Sequence, residues 1–148
     1  MAPRDQFSSS DSTAIETAAR VYHAWDDALG KKDIDAAMAL YAEDCTLESP
    51  LVRHLLGSER GVVEGKKALR SFVEKVFRTQ PPQRKRHRHG FFTDGHRLIW
   101  EYPRAGADGE QFDLVEVMEL RDGLIRHHRV YWGWFGLKHL QEGGHRDS

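Results

Sequence analysis

Two β-patterned runs, Phe112 to Arg121 and Leu124 to Trp134, meet at Arg121-Asp122-Gly123. Asp-Gly is a strong hairpin signal, because a tight turn needs positive φ and glycine adopts it freely. Strand alternation then sorts the side chains, and Phe112, Leu114, Glu116, Met118 and Leu120 share one face of the first run. A carboxylate thus stands in the middle of an apolar row. An unpaired buried charge is expensive, so a sheet that places one there must supply a partner or a task for it.

The 148 residues are enough for one domain with a sizeable core. A formal net charge of −1 gives no bulk attraction to nucleic acid or to an anionic membrane, and neither partner is expected. The single cysteine, Cys45, cannot form an intramolecular disulfide, which fits a reducing compartment and a cytoplasmic location. The stretch Met1 to Ser10 lacks the apolar centre of a signal peptide, and no apolar run approaches membrane-spanning length.

Residues 1–12 are polar and Ser-rich and are expected to form a disordered tail. Ile15, Ala18, Tyr22, Trp25 and Leu29 then mark the apolar stripe of a first helix, with Ser12 or Thr13 at its start and Gly30 at its end. Asp33 can cap a second helix carrying Ala36, Ala37, Leu40 and Tyr41. Asp44 to Glu48 reads as a short strand stopped by Pro50, and two glycines suggest a loop over residues 51–61. A third helix starts near Gly65, carries Leu69, Phe72, Val73, Val76 and Phe77, and ends at Pro81-Pro82. Four strands fit the remainder, at about 84–93, 96–105, 110–121 and 124–134, followed by a tail over 136–148 with a short helical turn. Segregated helices and strands imply an α+β fold: a curved antiparallel sheet wrapped around three helices, with a pocket between the layers.

Three segments together resemble the SnoaL-like branch of the nuclear transport factor 2-like superfamily. They are Ala39 to Pro50, Gly61-Val-Val-Glu-Gly65 opening a helix, and Met118 to Ile125 followed by Tyr131-Trp132. The resemblance covers residues 13–135, taken as one SnoaL-like domain. It implies a cone-shaped fold with an internal pocket, and a homodimer paired through the outer sheet face. The superfamily includes polyketide cyclases, ketosteroid isomerase, dehydratases and non-catalytic members, so the fold does not settle the activity. The isomerase strand motif Glu-Asp-Pro reads Glu48-Ser49-Pro50 here, and the isomerase helix tyrosine falls on Trp25. The isomerase's second acid falls on Glu116, and the cyclase ending Tyr-Trp-Asp reads Tyr131-Trp132-Gly133. Both inherited aspartate bases are therefore absent.

With the Glu116 face turned inward, alternation and the family frame place His128, Val130, Trp132 and Trp134 inward too. Leu98, Trp100 and Tyr102 form the apolar series of the neighbouring strand. Burying Arg84, Arg86 and Arg88 is costlier than burying imidazoles, so His87 and His89 are expected inward and the arginines outward, opposite Glu101, Asp113 and Glu119. The expected pocket has walls of Tyr22, Trp25, Trp100, Tyr102 and Trp132, with His87 also touching the ligand. Glu116, His128 and His89 are the candidate acid–base residues for a small apolar molecule bearing a carbonyl or hydroxyl. The alternatives are a buried structural Glu116–His128 pair, a non-catalytic ligand-binding module, and a dimeric interaction module. Alternate strand histidines can also hold a metal, but neither metal nor cofactor is expected.

Overall fold

The computed structural model describes residues 9–79, 90–101, 104–105 and 111–143. Helix α1 spans Ser9–Lys31, α2 Ile34–Met38, α3 Pro50–Leu56, α4 Lys66–Thr79 and α5 Trp134–Gln141. The strands are β1 Tyr41–Glu48, β2 Val62–Glu64, β3 Phe92–Thr93, β4 Arg97–Glu101, β5 Arg104–Ala105, β6 Gln111–Phe112, β7 Leu114–Arg121 and β8 Leu124–Trp132. Six strands form one sheet in the order β2-β1-β8-β7-β4-β3, and β5 pairs with β6 separately. Among the described residues every pairing is antiparallel except β1 with β8, which is parallel.

The two long helices bury the stripes expected of them. Ala18, Tyr22 and Trp25 of α1 and Leu69, Phe72, Val73, Val76 and Phe77 of α4 are all buried. Each fully buried aliphatic or aromatic side chain contributes about 1.5–3 kcal/mol, so these stripes are what hold the helices on the sheet. No helix among the described residues is long and apolar enough to cross a membrane.

Several expectations are corrected. Helix α1 begins at Ser9, inside the stretch read as a polar tail, and runs through Gly30 to Lys31. The left-handed residue beyond it is Lys32, with φ 54°. Asp33 does cap α2, its carboxylate accepting the Ala36 N–H at 3.1 Å. That helix is a single turn, however, and Tyr41 opens β1 instead of closing α2. Residues 50–56 form helix α3, not a loop: Ser49 Oγ accepts the Leu51 N–H at 3.1 Å, Pro50 occupies the first turn, and Gly57 ends it in the left-handed conformation. Ser-Pro at the start and Gly after the end are recognised helix punctuation. The stretch after Gly133 is helical as well, and its Leu140 is buried in the core.

The β7–β8 hairpin closes at Asp122-Gly123, with φ 52° and 76°. Its register pairs Leu114 with Trp132, Glu116 with Val130 and Met118 with His128, and then slips between Glu119 and Leu120. Glu119 faces His127 but Leu120 faces Ile125, which leaves Arg126 as an extra residue, a β-bulge. The bulge reverses the alternation, so Ile125 and His128 are both buried although they stand three positions apart, which strict alternation would put on opposite faces. Trp134 leaves the sheet as the first residue of α5 and is exposed, contrary to the inward placement expected of it.

The outer sheet face carries charge. Glu119 lies 3.5 Å from both Arg97 and Arg129 and 3.4 Å from His127. Near the β7–β8 turn Asp44 accepts from Arg121 at 2.5 Å and lies 3.3 Å from Arg126. The Arg121 hydrogen bond, reinforced by both guanidinium charges, holds the Asp44 carboxyl below its ordinary 3.8. A lowered folded-state pKa means that this contribution to stability is present above 3.8 and is lost as pH falls through the lowered value. Arg121→Gln is expected to move the Asp44 titration midpoint up toward 3.8, read by NMR of the carboxyl carbon; an unmoved midpoint would discount the pair.

Gly95 fixes where α1 meets the β3–β4 turn. Its φ is +95°, and a Cβ there would lie 2.7 Å from Ala14 Cβ. Gly95→Ala combines a disfavoured backbone with a clash, and overpacking alone costs about 1–3 kcal/mol. The expected lower midpoint in urea is readily measured; an unchanged one would show that α1 can yield at Ala14.

Candidate active site

The centre of the site is a hydrogen-bonded chain inside the cone. His128, 2% exposed, lies with Nε2 2.5 Å from Glu116 Oε2 and Nδ1 2.9 Å from the Tyr41 hydroxyl. Trp25 Nε1 donates to that hydroxyl at 3.3 Å. The four residues come from α1, β1, β7 and β8, so only the tertiary fold assembles them. The inward orientation of Glu116 holds: its residue is 5% exposed.

The donor inventory gives the chain a direction. An indole N–H can only donate, so the Tyr41 oxygen accepts from Trp25. Burial raises the Tyr41 pKa well above the ordinary tyrosine value, so the phenol keeps its proton. That proton is then free to go to His128 Nδ1. A neutral imidazole whose Nδ1 accepts carries its hydrogen on Nε2, facing the Glu116 carboxylate. In that arrangement Tyr41 holds the tautomer that presents an N–H to the acid. Tyr41→Phe removes the donor to His128 Nδ1, and leaving a buried acceptor unsatisfied costs about 1–3 kcal/mol, measurable by chemical denaturation. A neutral effect would mean that the ring turns to find another donor.

A cavity of about 90 Å³ lies beside this chain. Its polar side is Trp25, Tyr41, Ser49, Glu116 and His128. Its apolar side comes from α4 (Phe72, Val73, Val76, Phe77), α1 and α2 (Leu29, Ala37, Met38), and the sheet side (Leu47, Leu51, Leu114, Val130), with Trp132 completing the wall. The space accommodates a few waters or a small molecule, since one water needs at least about 10–15 Å³ by such a measure. Apolar walls around a few convergent polar groups are the usual make-up of a small-ligand site.

Of the residues expected at the site, Glu116, His128, Trp25 and Trp132 line the cavity. Tyr22 and Trp100 lie behind it in the core. Trp100 packs edge-on against Trp25 and against Tyr22, with centroids 5.2 Å apart in both pairs, and the Tyr22 hydroxyl accepts from the Gly90 N–H at 3.3 Å. Trp100 is opposite Glu116 in the β4–β7 register, so it supports the site from beneath. His87, His89 and Tyr102 lie outside the described residues, as do Arg84, Arg86 and Arg88.

Two polar residues that the sequence did not place in the pocket line it: Tyr41 and Ser49. Tyr41 was hidden by its helical spacing from Ala37, whereas the odd-numbered series Tyr41, Cys45 and Leu47, all buried, marks a strand face. Ser49 is 6% exposed. It had a signal in the Ser-Pro start of α3.

The SnoaL-like domain family matches residues 20–128 of this chain. Solved structures share the fold at low identity. An NTF2-like protein of Burkholderia pseudomallei is 16% identical over 84% of this chain and 96% of its own, with a TM-score of 0.67. A SnoaL-like protein of Burkholderia thailandensis is 18% identical, over 80% and 97%, with a TM-score of 0.66. A ketosteroid isomerase-like protein of Kribbella flavida is 21% identical, over 80% and 79%, with a TM-score of 0.62. Comparison with curated proteins finds no match. The solved NTF2-like and SnoaL-like structures share the α+β cone, and the family match over residues 20–128 is decisive: the chain belongs to the SnoaL-like domain family.

Proposed function

We propose that the cavity binds a small, largely apolar molecule bearing a carbonyl or hydroxyl, and that Glu116 and His128 move a proton on it without a cofactor. The observation that carries this reading is the directed chain Trp25–Tyr41–His128–Glu116 ending on a carboxylate that borders the cavity. Glu116 takes the proton from the carbon or hydroxyl next to it. The His128 N–H supports the carboxylate in its charged form, and Glu116, once protonated, returns that proton at the product position. The Ser49 hydroxyl, whose oxygen already accepts from Leu51, has its own proton available for a developing oxyanion. An isomerisation, dehydration or ring closure needs no more than these groups. The kinship of fold with a ketosteroid isomerase-like protein is compatible with such chemistry.

One observation favours a second reading. Both ring nitrogens of His128 are already engaged, as in a purely structural pair, which suits a non-catalytic binding module of the same fold. The two readings separate in one experiment. Small ketones, enones and β-hydroxy carbonyls are screened for saturable quenching of indole fluorescence, since Trp25 and Trp132 line the cavity. Those that bind are then followed by NMR in D2O. Solvent deuterium entering at the carbon next to the carbonyl, or product accumulating, supports the enzyme; binding without either outcome makes this a binding module. We further propose a homodimer through the outer sheet face, where Val115 and Tyr131 pair in register and Tyr131 is exposed. A monomeric mass in sedimentation at micromolar concentration would reject it.

A further inference from the structure

A second depression, of about 450 Å³, lies next to the cavity. Ser49, Val130 and Trp132 line both, so the two spaces adjoin across those three residues. Their chemistry differs. The inner cavity is apolar apart from the Glu116 end, whereas the outer cleft holds three guanidinium groups, those of Arg53, Arg60 and Arg129. Two carboxylates, Glu48 and Glu59, share it.

Existing pairings leave part of this positive charge unspent. Arg129 is turned to Glu119 and to His127, and Glu48 to His127 at 3.7 Å. Arg53, on the exposed side of α3, donates only to the Glu59 backbone carbonyl at 3.4 Å and meets no carboxylate among the described residues. Arg60 has a single loose contact, 3.8 Å to Glu64, with both side chains largely exposed. Arg53 and Arg60 therefore flank the cleft with guanidinium groups that an incoming anion can engage. A guanidinium fork matches the oxygens of a carboxylate or phosphate.

We propose that cavity and cleft form one bipartite site for a small amphipathic anion, its apolar body in the cavity and its carboxylate or phosphate on Arg53 and Arg60. This rests on the ligand-binding reading above and narrows it to a substrate class. The reacting carbon then lies at the Glu116 end, and the anionic group stays outside, hydrated on one side. Substrate charge is kept away from the Glu116 carboxylate, which would otherwise repel it.

Three probes of one carbon skeleton test the idea: 4-phenylbutyrate, 4-phenylbutyl phosphate and 4-phenylbutan-1-ol, titrated at pH 7 and low ionic strength by indole fluorescence. Charged hydrogen bonds of about 1.5–3 kcal/mol correspond to at least about a tenfold preference for an anion over the alcohol. The tighter of the two anions identifies the head group. In the Arg53→Gln/Arg60→Gln double variant the preference is expected to fall to within about threefold while the alcohol's affinity is unchanged, and added salt should weaken only the anions. Arg78→Gln, an exposed arginine of α4 away from the cleft, controls for net charge and should leave the preference intact. Equal binding of alcohol and anions by the native protein, or a preference that survives the double variant, overturns the anionic subsite and leaves the cavity reading standing. Failure of all three probes to bind overturns both. Because the readout is binding, a Glu116 that performs no chemistry leaves the result unaffected.

Discussion

Glu116→Gln is expected to lower turnover by about 10²–10⁴-fold, the usual contribution of a positioned acid–base group, while the protein stays folded. Glutamine has nearly the same shape and its carbonyl oxygen can still accept from the His128 N–H. What disappears is the ability to take a proton. The measurement pairs steady-state rates on whichever carbonyl compound proves to be turned over with a urea titration of the same variant. Lost turnover at little-changed stability assigns Glu116 the chemistry. Retained turnover rejects it as the acid–base group, whatever else the cavity binds. A large loss of stability together with activity would instead point to a structural carboxylate.

His128→Leu is expected to destabilise the fold by about 3–5 kcal/mol, because it strands a carboxylate that is 5% exposed. The Tyr41 hydroxyl loses its acceptor in the same variant, adding to the effect. The double variant Glu116→Leu/His128→Leu should recover most of that loss, since well-packed apolar residues often match or exceed a buried polar pair. Equilibrium urea unfolding of the native protein, both single variants and the double gives the coupling directly. A double variant as stable as the native protein, yet inactive, would mean that the pair is retained for its chemistry. If the double variant is no better than His128→Leu alone, the pair is part of what holds β7 to β8. A single variant that loses less than about 1 kcal/mol would show that water or another donor reaches Glu116 readily.

Much of the architecture was legible because it rests on local rules. The α1 and α4 stripes, the Asp122-Gly123 turn, the Asp33 cap and the inward series Leu114-Glu116-Met118 follow from periodicity and from backbone preferences that neighbours in the chain impose. Helix α3 carries its own signals in Ser49-Pro50 and Gly57, but two glycines in one short stretch read as loop punctuation, whereas Gly57 is a helix stop. The inward placement of Trp134 failed for a different reason: alternation says which way a residue points while a strand lasts, and not where the strand ends.

The candidate site divides along the same line. Glu116 announced itself as a charge in an apolar row, and His128 followed by alternation and family frame. Strict alternation carried back from His128 would have turned Ile125 outward, and the bulge at Arg126 is what buries both. Tyr41 could not be placed from its own surroundings. It enters the site because β1 pairs parallel to β8 with a slipped register, Tyr41 beside Ile125 and Leu47 beside His128. Sequence alone therefore determined the two long helices, the hairpin, the family and the carboxylate that must lie inside the cone. The partner that orients His128, the boundary of the cavity and the cleft adjoining it were decided by tertiary structure, because they depend on register between strands distant in the chain, and register is set by the packing of the whole sheet.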